Sequence, residues 1–168
     1  MALIKDRKLA ADNWLLLDKG ADGAFPVIPE TGDVIVPLAV WKASREALLA
    51  RAGRLGVWLA GNDEPADIAD DLVHFQVVSV RFPSFTDGRG YSIARLLRER
   101  YGWRGELRAI GDIQRDQVFY LTRCGFDALA LREGEDVDAV LTAFDDFSER
   151  YQTAVDQPYP LFRRREAA

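Results

Sequence analysis

From Val34 onward, short apolar runs alternate with stretches in which apolar residues recur every three or four positions. Five runs read as strands: Val34–Trp41, Leu55–Leu59, Val77–Phe82, Leu107–Ile110 and Ala128–Leu131. Pro37 marks an edge or the end of the first. The segments between them read as helices. Ser44–Ala52 has Ser44 as N-cap and Gly53 as stop, and another helix opens at Pro65 in its first turn. Tyr91–Tyr101 carries Ile93, Leu97 and Tyr101 on one stripe, with Arg95, Arg98 and Glu99 facing elsewhere. Arg115–Cys124 would end at Gly125. In Val137–Tyr151, the residues Val137, Val140, Leu141, Phe144, Phe147 and Tyr151 form a 3.6-residue stripe that reads as core. Before Val34, ALI and NWLLL read as two short strands around a polar turn at Asp6 and Arg7, followed by an irregular, Gly- and Pro-rich connection.

Alternating strands and helices imply a parallel sheet with right-handed crossovers. About five strand–helix units fit in 168 residues. A complete eight-fold barrel needs on the order of 200 residues or more. The expected fold is therefore α/β: an open doubly wound sheet or a half-barrel, preceded by an N-terminal β-hairpin. One domain is expected over 1–155, its hairpin segment being 1–33. The rest, 156–168, contains QPYPLFRRR and reads as an extended, mobile tail.

Composition narrows the function classes. The net charge is −5, which disfavours nucleic-acid binding through bulk charge. Residues 81–132 nevertheless hold ten arginines against six Asp or Glu, so a small anionic ligand fits this segment better than a nucleic-acid surface. A single cysteine, Cys124, cannot build a disulfide framework or a zinc site, and reads as a buried apolar residue. No apolar run approaches the roughly 18 residues of a membrane span, and charges at Lys5, Asp6, Arg7 and Lys8 interrupt any leader pattern. The expected setting is cytoplasmic.

In open α/β sheets, ligands bind beyond the carboxyl ends of the strands. That rule gathers Gly61–Glu64, Arg81 with Ser84–Gly90, Gly111–Arg115 and Arg132–Glu133 on one edge. The sharpest segment is DGRGYS. Gly88 and Gly90 offer positive φ and close backbone approach, Arg89 offers a donor fork, and Thr86 and Ser92 add hydroxyls. It matches neither a Walker A loop nor a complete GxGxxG fingerprint. The alternative is a tight turn with Asp87 capping the helix. In GDIQRD, Asp112 reads as an N-cap or, with Gln114 and Arg115, as a ligand contact. The candidate ligand-binding set is thus Arg81, Thr86, Asp87, Gly88, Arg89, Gly90, Ser92, Asp112, Gln114, Arg115 and Arg132. Asp87 and Asp112 are the candidate acid–base groups. The only histidine, His74, belongs at the opposite edge and reads as structural. No spacing matches a metal loop.

The segments NWLLL, VPLAVW, TDGRGYS, LRERYG, GELRAIGDI, RDQVFYLTRCGFDA and DDFSERYQ together resemble the bacterial family catalogued as domain of unknown function 934. The resemblance covers most of the chain. It implies a protein encoded beside genes for assimilatory sulfite reduction, sometimes labelled a probable oxidoreductase, with no established catalytic residues. Three readings follow from it. The first is an accessory or adaptor protein that binds sulfite reductase or an associated enzyme, together with a small oxyanion. The second is a small enzyme acting on a sulfur oxyanion or sulfonucleotide. The third is a flavin-dependent oxidoreductase, since flavodoxin-like sites bind flavin without a strict motif.

Overall fold

The computed structural model describes residues 2–20, 23–147, 151–160 and 162–163. Its strands are β1 (Ala2–Lys5), β2 (Lys8–Ala10), β3 (Leu15–Leu16), β4 (Val34–Pro37), β5 (Leu55–Leu59), β6 (Val77–Phe82), β7 (Glu106–Gly111) and β8 (Ala128–Leu131). They form one sheet in the order β2-β1-β8-β7-β6-β5-β4-β3. From β3 to β8 the order in space is the order in sequence, and each neighbouring pair is parallel. The hairpin strands continue the sheet beyond β8 with antiparallel pairing.

A sequential parallel order with right-handed crossovers sends every connection to the same side of the sheet. The core shows this. One face packs Val34, Val57, Val80, Phe82, Leu107 and Leu129 against residues of the connecting segments. Those segments include the helices α1 (Leu38–Ala50), α2 (Arg89–Glu99), α3 (Val118–Arg123) and α4 (Val137–Ala143). The other face gathers Leu3, Ile35, Trp58, Val77, Ile110, Ala128 and Ala130, with Trp14 and Leu16 against it and no residue of these helices among them. The expected doubly wound alternative needs helices on both faces. The sheet is instead a curled half-barrel.

The curl has a cause in chain length. β2 and β3 occupy opposite ends of the sheet, seven inter-strand spacings apart. Flat, that would be roughly 34 Å at about 4.8 Å per spacing. The step from Ala10 to Leu15 covers five residues, which reach about 18 Å at most. The sheet must bend until its edges approach, and residues 11–14 then cross its open, concave face as a strap. At the start of β2, away from the strap, β1 and β2 meet at Asp6 and Arg7, both with positive φ, as a two-residue hairpin turn requires.

Several sequence expectations need correcting. The partner of ALIK in the hairpin is KLA, whereas NWLLL supplies β3 at the far edge. The run Val34–Trp41 changes type at Pro37, and α1 begins at Leu38, not Ser44. Leu38, Val40 and Trp41 are buried helix residues, and an unbroken apolar run does not reveal its own period. Ser44 is a kink within α1. The segment opening at Pro65 is a 3-10 helix, Pro65–His74. The last helix ends at Ala143. Of its stripe, Val140 and Phe144 are buried, Val137 and Leu141 pack against the core half-buried, and Phe147 and Tyr151 are exposed. Residues 148–150 of that expectation, and 161 and 164–168 of the tail, lie outside the described residues. Near the tail, Val155 N donates to Arg123 O at 3.2 Å, and Arg123 Nη2 donates to Gln152 O at 2.6 Å.

Arg98 was expected to face away from the apolar stripe of its helix, yet it is 9% exposed. It sits at the amino-terminal edge of the sheet. Nε donates to Gly125 O, Nη1 to Trp103 O and Gly105 O, and Nη2 to Asp127. Asp127 in turn accepts from Leu107 N. One side chain thereby ties α2 to the approaches of β7 and β8. Gly125, at φ 102°, lies against it, and a Cβ there would come within 2.6 Å of Arg98 Cγ. Replacing Arg98 with Met should cost roughly 3 kcal/mol, because it strands Asp127 and three carbonyls. A lower midpoint in urea at unchanged slope is the expected result; an unchanged midpoint would remove this role.

Candidate functional site

The carboxyl ends of the parallel strands open into a cavity of about 710 Å³. It lies on the concave face, between the strands and the strap. Such a volume falls within the range of about 300–1,000 Å³ usual for ligand sites. Its apolar wall includes Trp14, Leu15, Leu16, Ile35, Ile110 and Ala130, and its charged groups are Asp12, Arg81, Arg108 and Asp112.

Strand alternation puts the charges there. On β6, Val78, Val80 and Phe82 point to the helices, so Val77, Ser79 and Arg81 point inward. On β7, Leu107 and Ala109 point to the helices, so Arg108 and Ile110 point inward. Ser79 and Arg108 are register partners on adjacent strands.

Arg108 is 2% exposed. Its Nε donates to Glu106 Oε1 at 2.7 Å, and Nη1 reaches both oxygens of Asp12 at 3.1 and 2.9 Å. Nη2 lies 2.7 Å from the same Glu106 oxygen but is not aligned for a hydrogen bond. Ser79 Oγ is buried and has no hydrogen-bond partner among the described residues. A buried guanidinium needs close carboxylates to offset its desolvation. Here one carboxylate comes from its own strand and the other from the strap.

Arg81 is arranged differently. Its guanidinium stacks on the Trp58 ring at 4.0 Å and donates to Asp18 Oδ2 at 2.7 Å. The Asp18 side chain is largely exposed. The Trp58 indole N–H donates to Leu17 O at 2.9 Å, which fastens the chain just past β3. Trp14, midway along it, has the Arg54 guanidinium 4.9 Å from its ring centre. Trp14 and Arg108 also border a second space of about 250 Å³ with Lys5, Gln76 and Glu106, so together they divide the concave side into a mouth and a lower chamber.

Of the eleven ligand candidates, Arg81 and Asp112 line the mouth. Asp112 accepts from Phe85 N at 3.0 Å and from Arg132 Nη1 at 2.9 Å, so Arg132 sits at the rim, held also by Glu135. Arg115 pairs with Asp146 at 2.7 Å. Gln114 N donates to the buried Gln117 Oε1 at 2.9 Å. Thr86 and Ser84 hydroxyls lie 3.2 Å apart. Ser92 borders a separate 200 Å³ space with Tyr120, Arg123 and Cys124. Burial pushes the Cys124 thiol up.

The DGRGYS loop does not take the form of an anion cradle. Gly88 has φ −85° and Gly90 no positive φ, so neither supplies unusual backbone geometry. Gly90 leaves room for the Phe82 ring, which a Cβ would approach to 2.6 Å. Arg89 is closed onto Asp87 by two bonds, Nε to Oδ1 at 2.9 Å and Nη2 to Oδ2 at 2.7 Å. Its guanidinium also packs on Gly61. The glycine whose conformation matters is Gly111, at φ 104°, where a Cβ would fall 2.2 Å from Phe82 O. That turn allows Asp112 N to donate to Phe82 O at 2.8 Å and brings Asp112 to the rim.

Arg108, Asp12, Trp14 and Asp18 were not among the sequence candidates. The signal for Arg108 was a charge at an inward position of an otherwise apolar strand. Asp12, Trp14 and Asp18 left no such mark.

The Arg89 guanidinium beside Asp87 holds that carboxyl at about 2, below the usual carboxylate range. Asp87 is therefore ionised at neutral pH, and is poorly matched to a general acid or base there. Its folded value is depressed, so its contribution to stability is present above pH ~4 and lost as the pH falls toward 2. Carbon-detected titration should show Asp87 shifting upward toward ~3.9 in Arg89→Ala. An unchanged midpoint would contradict the pairing.

The family model described as bacterial protein of unknown function (DUF934) matches residues 56–162, a span that contains Arg81, Arg108 and Asp112 but not the strap. No curated protein and no solved structure matches the chain. With well over half of its residues matched, the chain belongs to the bacterial DUF934 family.

Proposed function

We propose that the chain is an accessory protein of assimilatory sulfite and sulfate reduction, acting in the cytoplasm. In this reading it holds a small oxyanion in the mouth of the half-barrel and docks on sulfite reductase or an associated enzyme. The observation that carries the ligand part is the convergence of Arg81 and Arg108 in one 710 Å³ cavity at the carboxyl edge. Strand carboxyl ends are where barrels and open α/β sheets bind ligands. Arginine forks suit tetrahedral and planar oxyanions alike. The pathway rests on the genetic setting that the family resemblance implies.

A second reading, an enzyme acting on a sulfur oxyanion or sulfonucleotide, is favoured by Asp112, the one acid–base candidate that borders the cavity. The flavin-dependent reading places the isoalloxazine in the same space.

Thermal unfolding in the presence of sulfite, sulfate, phosphate and flavins separates these readings. An oxyanion should stabilise the protein saturably, by about 2.7 kcal/mol at a hundred times its Kd. Arg81→Ala should lose the effect. Stabilisation by a flavin, with yellow protein, would favour the redox reading. No shift with any ligand, together with no retention of sulfite reductase by the immobilised protein, would sink the proposal.

A further inference from the structure

We infer that the half-barrel mouth takes an organic anion, with an apolar body and one oxyanion head, and that this head displaces Asp18 from Arg81. The inference rests on the anion-binding reading of the same cavity and specifies its ligand class.

Size argues for an organic body. The cavity of about 710 Å³ has several times the room that a tetrahedral oxyanion fills. Its wall is mostly apolar, with Trp14, Leu15, Leu16, Ile35, Ile110 and Ala130 around the space. A bare inorganic ion would leave that surface wet, whereas an apolar body would cover it.

Charge argues for a single head. Around the mouth, Arg81 and Arg108 face Asp12, Asp18 and Asp112. A ligand with several negative charges would meet these carboxylates. One head needs only one guanidinium.

The two arginines differ in availability. Arg108 is buried and held between Glu106 and Asp12, and a ligand that took it would strand a buried carboxylate. Arg81 is already presented. Trp58 supports its flat face, and its one carboxylate partner is 55% exposed. Exposed ion pairs are worth little, so a ligand oxyanion with an apolar anchor can replace Asp18. Asp18 Oδ1 keeps its bond from Lys19 N when the other oxygen is released. The Asp18 carboxylate thus occupies the position of the ligand head in the free protein.

Calorimetric titration with 2-naphthalenesulfonate, 2-naphthol and inorganic sulfate tests this on the full chain and two variants. The sulfonate should bind about ten-fold or more tightly than sulfate, by its extra apolar burial. 2-Naphthol, which lacks the head, should bind more weakly than the sulfonate. Asp18→Asn should tighten the sulfonate about two- to five-fold, since it removes a competing exposed carboxylate. Arg81→Met, which keeps an apolar stem on Trp58, should abolish sulfonate binding. Sulfate binding as tightly as the sulfonate would overturn the inference while leaving the oxyanion reading intact. No binding of either anion would overturn both. Unchanged or weakened sulfonate affinity in Asp18→Asn would overturn the displacement of Asp18.

Discussion

The four residues between β2 and β3 have to join the two ends of an eight-stranded sheet. That distance cannot be covered unless the sheet curls. The strap is thus both a consequence and a cause of the half-barrel. It crosses the concave side at the one height where Asp12 can reach Arg108. Arg108 is buried enough that its charge needs a close partner, whereas Asp12 stays partly open to solvent. The guanidinium inside the sheet requires the strap, and the strap lies over the sheet partly because the guanidinium is there.

The remaining geometry follows from sequential winding. All crossovers lie on one face, and the large hydrophobic cluster forms there. The concave face receives little apolar cover from the rest of the chain. Trp14 and Leu16 fill part of it, Trp58 fastens Leu17, and the part left over is the cavity. The mouth is therefore where packing from the strap stops, and two inward arginines remain within reach of it. The opposite edge has another character. Arg98 there is satisfied by three carbonyls and Asp127, an arrangement that serves stability.

Local pattern made the parallel strands legible, because apolar runs bounded by turn residues give their position even when their period is silent. It misled at Val34–Trp41, where strand and helix residues are equally apolar and only Pro37 divides them. It also misled at the hairpin. KLA is short and its Leu9 is exposed, so the richer NWLLL looked the better partner. The carboxyl-edge rule depends only on strand ends, and two of the residues it gathers, Arg81 and Asp112, border one cavity. It overvalued DGRGYS, where glycine answers to the Phe82 ring and the arginine to its own neighbour Asp87. Asp12 lies 96 residues from Arg108. Nothing local to either position announces a contact that depends on the length of the strap and the curl of the whole sheet.

Hydrogen exchange in Asp12→Asn tests most directly whether this ion pair holds the strap in place. The amides of Leu15 and Leu17 donate to Asp33 and Ile35 carbonyls at the far edge. They should lose protection when the carboxylate is neutralised, while the central amides of β6 stay protected. Undiminished protection at Leu15 and Leu17 would mean that the strap holds without Arg108, and that this ion pair is not what the half-barrel depends on.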